Sequence, residues 1–166
     1  MRLYQLFKSL LLNFRDAAEE AMPDAAVGSS AANYTGIYNL VSIYDSLELA
    51  AVEIPASNNF QLQLNPAKLD DPDDLLDPYA VNIQMGNTMW TQMNVTMSVN
   101  TDQIVGMDPI RSTRLLPSPE VWAVESAVNS ILPLCTFIRF LDDEKTQLAL
   151  DGPAGAMDWT RQVVVK

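Results

Sequence analysis

Residues 88–99, TMWTQMNVTMSV, alternate in character without a break. Met89, Thr91, Met93, Val95, Met97 and Val99 fall on one side, and Trp90, Gln92, Asn94, Thr96 and Ser98 on the other. That two-residue period is the mark of a β-strand whose faces meet different surroundings. At about 3.3 Å per residue the run would extend about 40 Å, well beyond the usual five or six residues. Residues 80–85, followed by Gly86 and Asn87, read as its hairpin partner. A chain with such a strand must build a sheet and cover the apolar face. Its 166 residues suffice for one domain with a real core, or one domain with an arm.

Other segments supply the cover. Leu3, Leu6, Phe7, Leu10, Leu11, Phe14, Ala17, Ala18 and Ala21 recur at helical steps, which predicts an amphipathic helix over 2–22, stopped by Pro23. Residues 24–36 are small and polar, a loop or flexible arm. The stretch 37–54 keeps both helical and alternating spacings, and its Ile, Val and Tyr content tips it to strand. Phe60, Leu62 and Leu64 alternate with Gln61 and Gln63 as a half-buried strand. Residues 66–79 form a long acidic loop between prolines, and 100–117 a second long connection. Ser118 caps a helix that opens on Pro119 and Glu120. Its apolar face is Val121, Trp122, Val124, Ala127, Val128, Ile131 and Leu132, and Pro133 closes it. Short strands are predicted at Thr136–Leu141, Thr146–Leu150 and Trp159–Val165, the first two joined by a turn at 142–145.

This order predicts an α+β fold: a mostly antiparallel sheet with an N-terminal helix and a second helix packed on one face. The expected organisation is an arm over 1–22, a flexible linker over 23–36 and the α+β domain over 37–166.

Composition excludes several chemistries. The chain has no histidine and one cysteine, Cys135. A closed Cys/His zinc site, an intrachain disulfide and a histidine general base are therefore ruled out. Twenty-one Asp and Glu against ten Lys and Arg give a net charge of −11. Phosphate affinity is carried by Lys and Arg, so specific nucleic acid is not the expected partner. No P-loop, nucleophile elbow or Ser-x-x-Lys context occurs. The apolar stretch between Lys8 and Asn13 is shorter than the about 7–15 residues of a secretory signal. No run of about 18 apolar residues occurs, so no membrane partner is expected. The sequons at Asn33 and Asn94 are then chance matches, and the default is a soluble intracellular protein.

The remaining candidates each have a plainer reading. Asp70, Asp71, Asp73, Asp74 and Asp77 offer oxygen ligands to calcium, but they lack the glycine and terminal glutamate of an EF-hand loop, and a solvated loop explains them as well. Cys135 reads as a small buried hydrophobe. Carboxylates are too many for any pair to be singled out for acid–base chemistry. No catalytic, cofactor-binding or metal-binding residue is assigned, and no cofactor is expected. Met89, Met93 and Met97 share a face that suits a core or an adaptable interface. With the apolar positions Leu3, Phe7, Leu10 and Phe14 of the arm, they form the candidate interface set.

The element order resembles the tail-terminator and head–tail neck proteins of long-tailed bacteriophages. Leu3–Ala21, Met89–Val99, Ser118–Leu132 and Trp159–Val165 carry the resemblance, under half of the chain. It is a likeness of pattern without a diagnostic motif. It implies a non-enzymatic virion subunit, assembled in the host cytoplasm. Such a subunit forms a homo-oligomeric ring through head-to-tail contacts and meets other virion structural proteins. An acidic lumen would repel passing DNA. Alternatives are a capsid cement or minor structural protein, and a carbohydrate- or ligand-binding module stacking on Tyr79, Trp90 and Trp159. A carboxylate hydrolase holding a cation in the 69–77 loop is a further alternative.

Overall fold

The computed structural model describes residues 32–56, 59–67, 77–96 and 102–162. Alternation is honoured in the segment that displays it best. Met89, Met93 and Val95 turn inward and are at most 1% exposed, while Trp90 between them is 42% exposed. The other strands follow the same rule around a common interior. In chain order the strands are β1 (Gly36–Asp45), β2 (Ala50–Ala51), β3 (Gln61–Pro66), β4 (Asp77–Gln84), β5 (Thr88–Thr96), β6 (Asp102–Met107) and β7 (Arg111–Ser112). Helix α1 (Pro119–Ile131) and a 3-10 turn (Leu132–Leu134) come next. Strands β8 (Phe137–Phe140), β9 (Gln147–Gly152) and β10 (Gly155–Arg161) complete the order.

All pairings are antiparallel, and neighbours run β1-β3-β4-β5-β6-β8-β9-β10. β10 then pairs back with β1 from Tyr38↔Arg161 to Asp45↔Gly155, which closes an eight-stranded up-and-down barrel. β2 extends the edge of β1, and β7 lies beside the first residues of β5. Two β-bulges, at Leu40/Ser42 in β1 and at Asn94/Val95 in β5, add the local twist that closure needs.

A barrel of eight strands is about wide enough for side chains to fill it. Here Tyr38, Ile43, Leu62, Leu64, Ile83, Met89, Met93, Ile138, Leu148, Met157 and Trp159 are buried to 1% exposure or less. α1 lies over one end of the barrel. Its N-terminal half approaches Gly86 in the β4–β5 turn, where an added Cβ would stand 2.7 Å from Val121 Cγ1. Its last residue, Ile131, packs on Gly155 at the β9–β10 turn, where a Cβ would lie 3.0 Å from Ile131 Cδ1. Val121, Val124, Val128 and Ile131 make its buried stripe, and the Ser118 hydroxyl caps the helix at the Val121 amide.

The α+β expectation is corrected. The described residues make a closed, mostly β structure whose single helix spans a barrel end instead of packing on a sheet face. An open sheet would leave β1 and β10 as unpaired edges, and seven residue pairs between them remove both. The expected connection 100–117 contains β6 and β7, and the last strand begins at Gly155, not at Trp159. Trp122, expected on the apolar face of the helix, is 57% exposed. The 88–99 strand is seen through Thr96, and the predicted 2–22 helix lies outside the described residues.

Candidate functional site

Three places on the barrel concentrate polar or exposed groups. The first is the seam under α1. Glu125 is 3% exposed, and its Oε1 accepts the backbone N–H of Asn87 while its Oε2 accepts Asn87 Nδ2 at 2.9 Å. Asn87 Nδ2 also donates to the Leu115 carbonyl at 3.2 Å. Asn87 Oδ1 accepts the Leu115 amide at 2.7 Å and the Thr113 hydroxyl at 3.0 Å. One buried carboxamide thus ties the β4–β5 turn, the 113–115 segment and the helix together. Such a fully paired network holds elements in place, since every donor is answered.

The second is the opposite mouth. Residues 32–35 lead into β1 and cross it. The Tyr34 hydroxyl donates to Asp102 Oδ2 at 2.7 Å, with the Ile138 carbonyl at 3.1 Å, and the Ala32 amide donates to the same Asp102 oxygen at 2.9 Å. Tyr79 accepts the Tyr34 amide and donates to the Ala32 carbonyl. Tyr38 donates to the Tyr34 carbonyl at 2.7 Å, and Arg161 donates to the Thr35 carbonyl at 2.6 Å. Phe140 stacks on Tyr34 with ring centres 4.9 Å apart, and the Arg161 guanidinium covers the Tyr38 ring. Burial raises the Tyr34 phenol well above its ordinary range, and the hydrogen bond and charge of Asp102 raise it further.

The third is an outer cleft of about 310 Å³, lined by Tyr44, Ser46, Thr136, Phe137, Asp151, Pro153 and small residues between them. Across β8, β9, β10 and β1 the register aligns Phe137, Asp151, Ala156 and Tyr44 in one row. Two aromatic walls therefore face each other over a floor of Gly152, Gly155 and Ala156. Asp151 pairs with Arg139 at 3.1 Å. Cys135, beside this floor, is 4% exposed, and burial, with the Asp151 charge behind it, pushes its thiol up to about 12. A thiol so protonated is a packing group, not a nucleophile, at neutral pH.

Met89 and Met93, from the candidate interface set, fill the barrel interior. Met97 and the arm positions Leu3, Phe7, Leu10 and Phe14 lie outside the described residues, as do Asp70, Asp71, Asp73 and Asp74 of the acidic loop. Of the three rings offered as stacking platforms, Trp159 and Tyr79 are 1% and 5% exposed, and only Trp90 reaches the surface. No cluster of three or more His, Cys, Asp or Glu able to hold a metal occurs among the described residues. No helix among them is long and apolar enough to cross a membrane.

The sequence reading missed Glu125, Asp102 and Tyr34. Glu125 stands four residues after Val121 and three before Val128, an acid inside the apolar stripe. Tyr34 is the one large aromatic in the expected linker. Both were visible signals of burial against polar partners.

No protein family, curated protein or solved structure matches the chain.

Proposed function

We propose that this protein is a structural subunit that acts through its outer surface, assembling with further copies of itself without catalysis. The ring-forming virion subunit of the head–tail neck or tail terminus is the concrete form of that reading. One observation supports it above the others. The barrel's interior is taken up by its own side chains, and its own residues cover both mouths. What remains on offer is the outside, where large apolar side chains such as Leu47, Leu49, Leu115, Leu116, Trp122 and Leu134 are all more than half exposed. Apolar surface of that extent marks interaction sites when it is contiguous.

The test is the oligomeric state of the full chain by light scattering, with electron microscopy of the same sample. The expected result is one closed homo-oligomer of defined size. A monodisperse monomer at high concentration would overturn the reading. A chain that joins only a preassembled shell would favour the cement protein instead.

A further inference from the structure

We propose that the slot between Tyr44 and Phe137 is the acceptor for residues 1–15 of a neighbouring copy. This deepens the assembly reading above and rests on it.

The acceptor face has the shape and chemistry of a receptor for an apolar, cationic segment. Tyr44 is 45% exposed and Phe137 37%, and they stand three strand spacings apart, about 14 Å. Between them the floor is Gly152, Gly155 and Ala156, too small to fill the gap. Leu134 adjoins Gly152 and is 51% exposed, and Leu47, in the turn after Tyr44, is 77% exposed. Such side chains gain most by being covered. The surrounding charge is mostly negative: Asp45, Glu48, Asp151 and Asp158 border the row, and Arg139 answers Asp151 alone.

The chain supplies one segment that complements this face. Residues 1–15 contain Arg2, Lys8 and Arg15 and no acid, so all 21 Asp and Glu lie in the rest of the chain against seven Lys and Arg. The same segment holds Leu3, Phe7, Leu10 and Phe14 at helical spacing. Phe7 and Phe14 would rise about 10 Å apart on one helix face, a span that fits between the aromatic walls. Opposite charge around an apolar centre steers encounter and sets register.

The chain enters the barrel at the end away from the slot. The described chain starts at Ala32, which is bonded to Asp102 at the mouth opposite α1. The Tyr44 end of the slot is at the α1 end, where Gly155 meets Ile131. A segment that leaves one copy through its Ala32 end and seats at the α1 end of the next makes a head-to-tail contact, the heterologous kind that generates rings.

Cysteine pairing in the full chain tests this, because the single native thiol, Cys135, is buried. One preparation carries Phe7→Cys and the other Tyr44→Cys; Ser46→Cys replaces the latter if Tyr44→Cys fails to fold. Mild oxidation of the mixture is expected to give disulfide-linked pairs of chains in high yield. Adding Lys8→Glu and Arg15→Glu is expected to lower that yield several-fold. Linkage inside a single chain carrying both cysteines, with none in the mixture, would overturn the proposal in favour of a copy's own arm. No linkage in an assembly that light scattering shows intact would overturn it and leave the assembly reading standing. No linkage in a monomer would remove both.

Discussion

Glu125 and Asn87 form the bond that seats the helix on the barrel. Both carboxylate oxygens are used, one on the backbone amide and one on the side-chain amide of the same turn residue. Truncating Glu125 to alanine leaves two buried donors unanswered. A loss of about 3 kcal/mol is expected, which thermal unfolding would register as a Tm lower by about 9 °C. A Tm within a degree or two of the parent would show that water replaces the carboxylate.

The opposite mouth predicts an alkaline weakness. Tyr34 and Tyr38 both titrate above the ordinary 10.0 because they are buried, Tyr34 also because of Asp102. Between the ordinary value and the folded one, the unfolded chain releases protons that the folded chain keeps. Stability is therefore full below pH 10 and falls as pH rises past it. Tyr34→Phe is expected to cost about 1–3 kcal/mol at neutral pH, since Asp102 loses a partner. It is also expected to flatten the decline above pH 10. Urea midpoints measured across that range check both, and an equally steep decline in the variant would assign the effect elsewhere.

Gly155 is a position where the backbone demands glycine. Its φ of +154° lies where side chains are rarely tolerated, and a Cβ would fall 2.2 Å from the Tyr44 carbonyl. Gly155→Ala is expected to lower stability by about 2–3 kcal/mol. The readout is a lower denaturant midpoint at unchanged slope.

Cys135 and the tryptophans give solvent-access readouts. With its thiol pushed up to about 12 and its side chain buried, Cys135 is expected to stay unreactive toward a disulfide reagent in the folded protein at mildly alkaline pH. One equivalent should react after unfolding. Acrylamide should quench Trp90 and Trp122 and spare Trp159, which is 1% exposed. Rapid labelling of the native thiol would contradict the packing of the β8–β9 edge.

The strands with clean alternation were legible one at a time. Residues 88–96, their hairpin partner before Gly86, and the Ser118–Pro119 helix start all match the pattern, because local periodicity and capping encode them. β6 was hidden because its inward positions are Asp102, Ile104 and, after the bulge opposite Asn94, Met107, an acid and a break in the two-residue period where an even apolar run was sought. Asp102 is answered by the Tyr34 hydroxyl, 68 residues earlier, and by the Ala32 amide, 70 residues earlier. Barrel closure was illegible for a similar reason. It joins Tyr38 to Arg161 and Asp45 to Gly155, and no local pattern records which strand will find which edge. For the candidate surface, Tyr44 and Phe137 align only through the register of four strands.

The β1–β10 seam also dictates an order of events during synthesis. β1 leaves the ribosome early and waits for a partner that emerges more than a hundred residues later. Until β10 arrives, the growing meander carries a bare edge at each side, one of them the edge of β1, open to pairing with other nascent chains. Joining such distant segments is slow. Chaperone dependence in the cell should therefore track this last zipping step, and a nascent chain halted before Gly155 should be the aggregation-prone species.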